Sequence, residues 1–129
     1  MAERRQVLEK LLAAPGLPFD SRLRSSLPER PGVYVIYVVG APAGEVLRAG
    51  RTKGAEGLRQ RIYQNHLMGN QRGNLRAQLV RGRECLDLQS AKIWIQEKCL
   101  VQFLVIENDE TRRWAEHFIL SVLQPRYSD

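Results

Sequence analysis

The fold of this 129-residue chain is decided by the stretch GVYVIYVV, residues Gly32 to Val39. β-branched and aromatic residues fill it, and apolar side chains occupy both alternating faces, which predicts a strand covered on both sides. A turn-forming segment at 40–44 and a second strand-like stretch at 45–52 follow, so the pair predicts an antiparallel hairpin. A third apolar stretch, from Cys99 to Ile106, predicts another strand.

Helical patterns surround these strands. They cover residues 3–14, 58–68, 74–80, 91–98 and 109–123, with Ser90 and Asp109 as the N-cap residues of the last two. The sequence therefore predicts an α+β fold, with a small three-stranded, largely antiparallel sheet flanked by helices. Residues 1–30 are expected to form an N-terminal helix and a proline-rich connector, and residues 31–129 the main domain.

The positive charge of the chain is concentrated in its middle. Nine Lys or Arg residues and one acid, Glu56, lie between Arg48 and Arg83, while the whole chain has a net charge of +6. Such a concentration is typical of a surface that binds a polyanion. No apolar run approaches the roughly 20 residues that span a bilayer, no secretory signal is visible, and two cysteines cannot build a disulfide framework. We expect a cytoplasmic protein that binds nucleic acid and no membrane.

The last predicted helix contains one carboxylate, Glu116, inside its apolar arc. Because an unpaired buried charge costs several kcal/mol, this side chain needs a partner. Two interpretations remain open at this point. Glu116 forms an ion pair with one of the many arginines, or it is a metal ligand that faces a cleft.

Five short motifs, in this order along the chain, resemble those of the GIY-YIG nuclease family. The first falls on Gly32-Val33-Tyr34 and the second on Arg48-Ala49-Gly50, which Arg51-Thr52-Lys53 continues. The helix segment 58–62 resembles the one that carries the family's catalytic arginine, here Arg61. Glu116 and the segment Pro125-Arg126-Tyr127 resemble the family's acidic helix and closing segment.

The resemblance implies a metal-dependent endonuclease that hydrolyses phosphodiester bonds, in DNA rather than RNA. Glu116 would hold one Mg²⁺ or Mn²⁺ ion, since a hard cation prefers oxygen ligands and keeps several waters. Arg61 would bind the scissile phosphate through its planar guanidinium. Tyr34 would orient or deprotonate the attacking water, and His66 would join them if a small kink turned it towards the site.

The other basic residues are expected to follow the nucleic-acid backbone around this site. The predicted contacts are Arg48, Gly50, Arg51, Lys53, Arg59, Arg72 and Arg76. No separate recognition domain is visible in the sequence. That favours recognition of nucleic-acid structure, or a protein partner that directs the chain to its target.

The chain departs from the family pattern at three positions. Arg48 stands where the family has a second tyrosine, Asn65 where it has a His or Tyr one turn after the arginine, and Ser128 where it has asparagine. Restoring the tyrosine by Arg48→Tyr is accordingly expected to raise cleavage. Two other functions remain open: a nucleic-acid-binding module that kept the fold and lost the chemistry, and an interaction domain whose arginines pair with acidic protein surfaces.

Overall fold

The computed structural model describes residues 2–39, 45–52, 57–69 and 74–127. In these residues, α-helices cover Ala2–Ala13 (α1), Leu23–Ser26 (α2), Leu75–Arg81 (α3), Leu88–Lys98 (α4) and Asp109–Leu123 (α5), and a π-helix covers Arg59–Leu67. Strands cover Leu17–Pro18 (β1), Gly32–Val38 (β2), Val46–Arg51 (β3) and Cys99–Val105 (β4).

The strands form one antiparallel sheet in the order β1-β4-β2-β3. This confirms the α+β class and corrects the predicted number of strands, since the described part of the sheet has four rather than three. The additional strand is β1, in which Leu17 pairs with Val101 and Pro18 with Leu100. Two residues with a proline among them give no periodicity, so the sequence could not reveal this strand.

Strand β2 is central and is covered on both sides, as its composition predicted. On one face, Tyr34 and Ile36 pack in a core with α2, the π-helix, α3 and α4. On the other face, Val33 and Val35 pack against α1 and α5. The predicted catalytic tyrosine therefore belongs to the face that the π-helix covers.

The N-terminal segment is part of this body. Phe19, Leu23 and Leu27 of the predicted connector are almost completely buried in the core beside Tyr34. The amide of Gln102, on β4, donates to the carbonyls of Leu12 and Ala14 at 2.8 Å each and binds the end of α1 to the sheet.

Two predicted helix caps are wrong by one to three residues. Asp87, not Ser90, is the N-cap of α4, and its carboxylate accepts a hydrogen bond from the Ser90 amide at 2.8 Å. Ser90 is the N3 residue of the same capping box, in which cap and N3 side chains bond reciprocally. Asn108 rather than Asp109 caps α5, with its side chain bonded to the Thr111 amide at 2.9 Å.

Both cysteines are free thiols, in agreement with the predicted reduced state. Burial, with a smaller contribution from Cys85, raises the pKa of Cys99 to about 12. Within the described ranges, no helix combines the length and the apolar character that crossing a bilayer requires.

Candidate active site

The first and second motifs meet at Tyr34 and Gly50, which are paired across β2 and β3. A Cβ atom built on Gly50 would lie 2.9 Å from the Tyr34 hydroxyl oxygen and 3.2 Å from its Cζ. Real side chains do not pack that closely, so the tyrosine ring occupies the space that any other residue at position 50 would need. Gly50 is itself buried, and the ring, rather than an approaching phosphate, accounts for the glycine.

Arg48 lies opposite Ile36, next to a β-bulge in which Leu47 is the additional residue. Only 1% of Arg48 is exposed. Its Nη1 donates to the side-chain oxygen of Gln78 at 2.5 Å, and its guanidinium lies beside the Tyr34 hydroxyl. Burial lowers the pKa of Arg48, but an arginine stays protonated at neutral pH. This burial argues against the predicted direct contact between Arg48 and a nucleic-acid backbone.

The π-helix determines where His66 lies. In an α-helix, the residue one turn after Arg61 would be Asn65. In a π-helix the hydrogen bonds run from residue i to i+5, so the turn is wider and the corresponding residue is His66. His66 contacts Tyr34, with 2.8 Å between its Nε2 and the hydroxyl oxygen and 5.6 Å between the ring centroids. The π-helix therefore turns His66 towards Tyr34, the outcome for which the sequence pattern required a kink.

Hydrogen bonds define the tautomer of His66. Its Nδ1 accepts from the backbone amide of Leu75, the first residue of α3, at 3.0 Å. Burial, followed by the charges of Arg48 and Arg61, lowers the pKa of His66 well below its ordinary value, so the ring is neutral at pH 7. The single ring proton is therefore on Nε2, which donates to Tyr34. The tyrosine oxygen accepts this hydrogen bond from His66, which orients it, and Arg48 lies beside it.

Glu116, on α5, lies at the outer edge of β3 beside Arg51. Its Oε1 is 3.0 Å from the Arg51 Nε, and its Oε2 accepts from the Arg51 backbone amide at 3.2 Å. The two side chains are 16% and 17% exposed. The ion pair that the sequence left as one alternative is therefore present, and the backbone amide of Arg51 binds the second carboxylate oxygen.

The charges of Arg61 and Glu116 also affect the pKa of the buried Arg48. Arg61 contributes to lowering the pKa of Arg48, and Glu116 opposes that shift. The two predicted catalytic charges therefore lie within electrostatic range of Arg48.

A metal ion would have to be held by few protein ligands here. No group of three or more His, Cys, Asp or Glu side chains exists in the part of the chain that the structure describes. One carboxylate nevertheless suits Mg²⁺, which keeps several waters and takes substrate phosphates as ligands. Glu116 fits this role by its donor chemistry, provided that Arg51 releases at least one of its oxygens.

Two of the predicted nucleic-acid contacts are bound to protein groups instead. Arg59 donates to the Leu27 carbonyl at 2.8 Å and pairs with Glu29 at 2.6 Å. Arg76 donates to three carbonyl oxygens, those of Leu67, Met68 and Leu88. The hydrogen bonds of these two arginines stabilise the ends of the segments to which the carbonyl groups belong. Lys53, Arg72 and Ser128 lie outside the described residues.

Gln78 is a residue of this site that the sequence prediction missed. It is buried on the covered face of α3, between the core residues Leu75 and Leu79, and accepts a hydrogen bond from Arg48. An amide on the apolar face of a helix needs a buried partner, as Glu116 did, and this signal could have identified it.

Comparison with known proteins gives no match to a family model, to a curated protein or to a solved structure. The geometry of the site is therefore the basis for assigning a function.

Proposed function

We propose that this protein is a divalent-metal-dependent endonuclease of the GIY-YIG type. The observation that supports this most strongly is that residues of β2, the π-helix and α5 contact Arg48 of β3 or lie within its electrostatic range. Tyr34 comes from β2, Arg61 and His66 from the π-helix, and Glu116 from α5, while the buried cation Arg48 joins them. A surface that only binds phosphates needs exposed cations, and it has no evident use for a tyrosine held by a neutral histidine.

Each side chain has a distinct role in this proposal. Arg61 holds the scissile phosphate with its planar set of donors. Tyr34, whose oxygen is held by His66 beside the Arg48 guanidinium, orients the attacking water. Glu116 holds Mg²⁺ or Mn²⁺, which when bound would polarise the phosphate and acidify a coordinated water. Arg48 is thus a positioning residue for Tyr34 and does not replace the missing tyrosine hydroxyl.

The proposed substrate is nucleic acid, DNA rather than RNA, and the proposed location is the cytoplasm. Arg81 and Arg83 are exposed beyond the site and are available to contact a phosphate backbone. Cytoplasmic location is supported by the two free thiols. A protein partner that selects the target is also part of the proposal.

One alternative function has specific support. Only 1% of Tyr34 is exposed, and both oxygens of Glu116 are engaged by Arg51. These contacts would suit a nucleic-acid-binding module that kept the fold and lost the chemistry. In the nuclease proposal, the substrate must displace Arg51 and open access to the tyrosine hydroxyl.

A panel of substrates separates the two functions. Supercoiled, linear and branched DNA and a matched RNA are incubated with the protein in Mg²⁺, in Mn²⁺ and in EDTA. The nuclease proposal predicts cleavage of at least one DNA that stops in EDTA. Binding that weakens steeply with salt, without cleavage in either metal, would support the binding module. Absence of binding even at low salt would exclude both.

A further inference from the structure

The contact between Arg51 and Glu116 has an unusual geometry. An arginine and a carboxylate often pair through two parallel N–H···O bonds from one guanidinium. Here the guanidinium provides only the Nε contact of 3.0 Å, and the second oxygen is bound by the backbone amide of the same residue at 3.2 Å. One residue therefore holds both oxygens of the carboxylate, at an edge of the sheet where nucleic acid would have to approach.

This contact leaves one nitrogen of the Arg51 guanidinium without an acceptor in the described part of the chain. Arg51 Nη1 is buried and has no hydrogen-bond partner among the described residues. A buried donor without an acceptor destabilises the state that contains it. A phosphate has acceptor oxygens at the spacing that a guanidinium fork requires, so a guanidinium that turns towards it can bond through Nη1 and Nη2 together and leave Glu116.

We propose that Arg51 is a positioning residue that couples cation binding at Glu116 to the arrival of a phosphate. Without nucleic acid, Arg51 holds both oxygens of Glu116 and opposes cation binding. A backbone phosphate binds the Arg51 guanidinium and frees the Oε1 of Glu116 for the cation. This inference rests on the proposed function, because it takes Glu116 as the ligand of the cation.

Thermodynamic linkage makes the coupling reciprocal. If a phosphate raises the affinity of Glu116 for the cation, the cation raises the affinity of the site for the phosphate by the same factor. The chain would then bind the cation tightly only when a substrate is present. Removing Arg51 should abolish the coupling and leave a site that binds the cation in either state.

The test measures Mn²⁺ binding by isothermal titration calorimetry, without any cleavage readout. The proteins are the wild type, Arg51→Gln, Arg51→Lys and the control Arg113→Gln. Arg113 lies on α5 one turn before Glu116, is exposed and pairs with Asp109, so its removal changes the local charge equally without touching the contact. We expect Arg51→Gln to bind Mn²⁺ about tenfold more tightly than the wild type, Arg113→Gln to stay within about twofold, and Arg51→Lys to return towards the wild-type value. The double variant Arg51→Gln/Glu116→Gln should lose this increase in Mn²⁺ affinity.

A second measurement uses the unmodified protein and does not depend on how the variants fold. Mn²⁺ affinity of the wild type is measured with and without saturating thymidine 3′,5′-bisphosphate, corrected for Mn²⁺ binding to the nucleotide alone. An increase of about tenfold supports the coupling. Equal Mn²⁺ affinity in the two titrations, or an Arg51→Gln affinity no higher than that of Arg113→Gln, overturns it. If the protein shows the coupling but cleaves no substrate, this inference stands and the nuclease proposal is refuted. If the protein cleaves without the coupling, the nuclease proposal stands and this inference is refuted.

Discussion

Tyr34 and His66 are joined by a buried hydrogen bond of 2.8 Å, although 32 positions separate them in the chain. The bond exists because the π-helix adds one residue to the turn that follows Arg61. It orients the tyrosine hydroxyl over Gly50, and through the tautomer of His66 it also connects β2 to the first residue of α3. A catalytic role for Tyr34 depends on this arrangement.

Removing the hydroxyl by Tyr34→Phe should affect both stability and activity. His66 Nε2 would lose its acceptor in a buried position, so the free energy of unfolding should fall by about 1–3 kcal/mol. Urea denaturation measures this change. The control is Tyr37→Phe, on the other face of the same strand. A Tyr34→Phe protein as stable and as active as this control would show that the hydroxyl has no role.

Exchanging two neighbours tests the register of the π-helix. The variant Asn65→His/His66→Asn places a histidine four residues after Arg61, where an α-helix would bring it to Tyr34. We expect this exchange to be no better than His66→Asn alone, in unfolding free energy and in cleavage, because residue 65 does not face the tyrosine in a π-helix. Recovery of wild-type behaviour by the exchange would contradict the observed register.

The neutral state of His66 predicts a loss of stability in acid. Its pKa is lowered in the folded state, mainly by burial, so below its ordinary pKa of about 6.5 the unfolded chain binds a proton that the folded chain excludes. The contribution of His66 is therefore complete above pH 6.5 and declines as the pH falls, by up to about 1.4 kcal/mol per pH unit.

Urea denaturation between pH 5 and 8 measures this dependence. The wild type should lose stability more steeply below pH 6.5 than His66→Gln, which cannot take up the proton. His117→Gln is the control for the loss of an imidazole, because that histidine is exposed on α5. Parallel curves for the wild type and His66→Gln would mean that His66 is not held neutral.

The sequence predicts that Arg48→Tyr raises cleavage, and the structure reverses that expectation. Arg48 is buried beside Tyr34 and donates to Gln78, so a tyrosine would leave the Gln78 oxygen without this donor and would add a bulky ring opposite Ile36. We expect a loss of roughly 2 kcal/mol in unfolding free energy and slower cleavage. A stable Arg48→Tyr protein that cleaves faster than the wild type would restore the original interpretation.

Residue patterns predicted most of the fold and drew attention to Glu116, whereas the resemblance to a nuclease family suggested Tyr34, Arg61 and His66. The hairpin and the third strand were visible because β-branched and aromatic residues mark them, and Glu116 was identified because a carboxylate interrupts an apolar arc. Patterns could not predict contacts that depend on tertiary packing. The π-turn that brings His66 to Tyr34, the burial of Arg48, and the carbonyl oxygens that bind Arg59 and Arg76 have no periodic signal. The basic stretch looked like a uniform phosphate-binding surface for this reason, whereas several of its arginines bind the protein itself.

Substitution of the proposed metal ligand, Glu116, is the most direct test of the proposed nuclease. Cleavage of the best DNA substrate is measured under single-turnover conditions for the wild type, Glu116→Gln and Glu110→Gln, in Mg²⁺ and in EDTA. Glu110 is exposed in the first turn of the same helix and controls for the loss of one carboxylate. We predict Mg²⁺-dependent cleavage by the wild type, a rate lower by at least about 100-fold for Glu116→Gln, and a nearly unchanged rate for Glu110→Gln. Equal rates for Glu116→Gln and the wild type, or cleavage that persists in EDTA, would contradict the assignment of Glu116 and with it the proposed function.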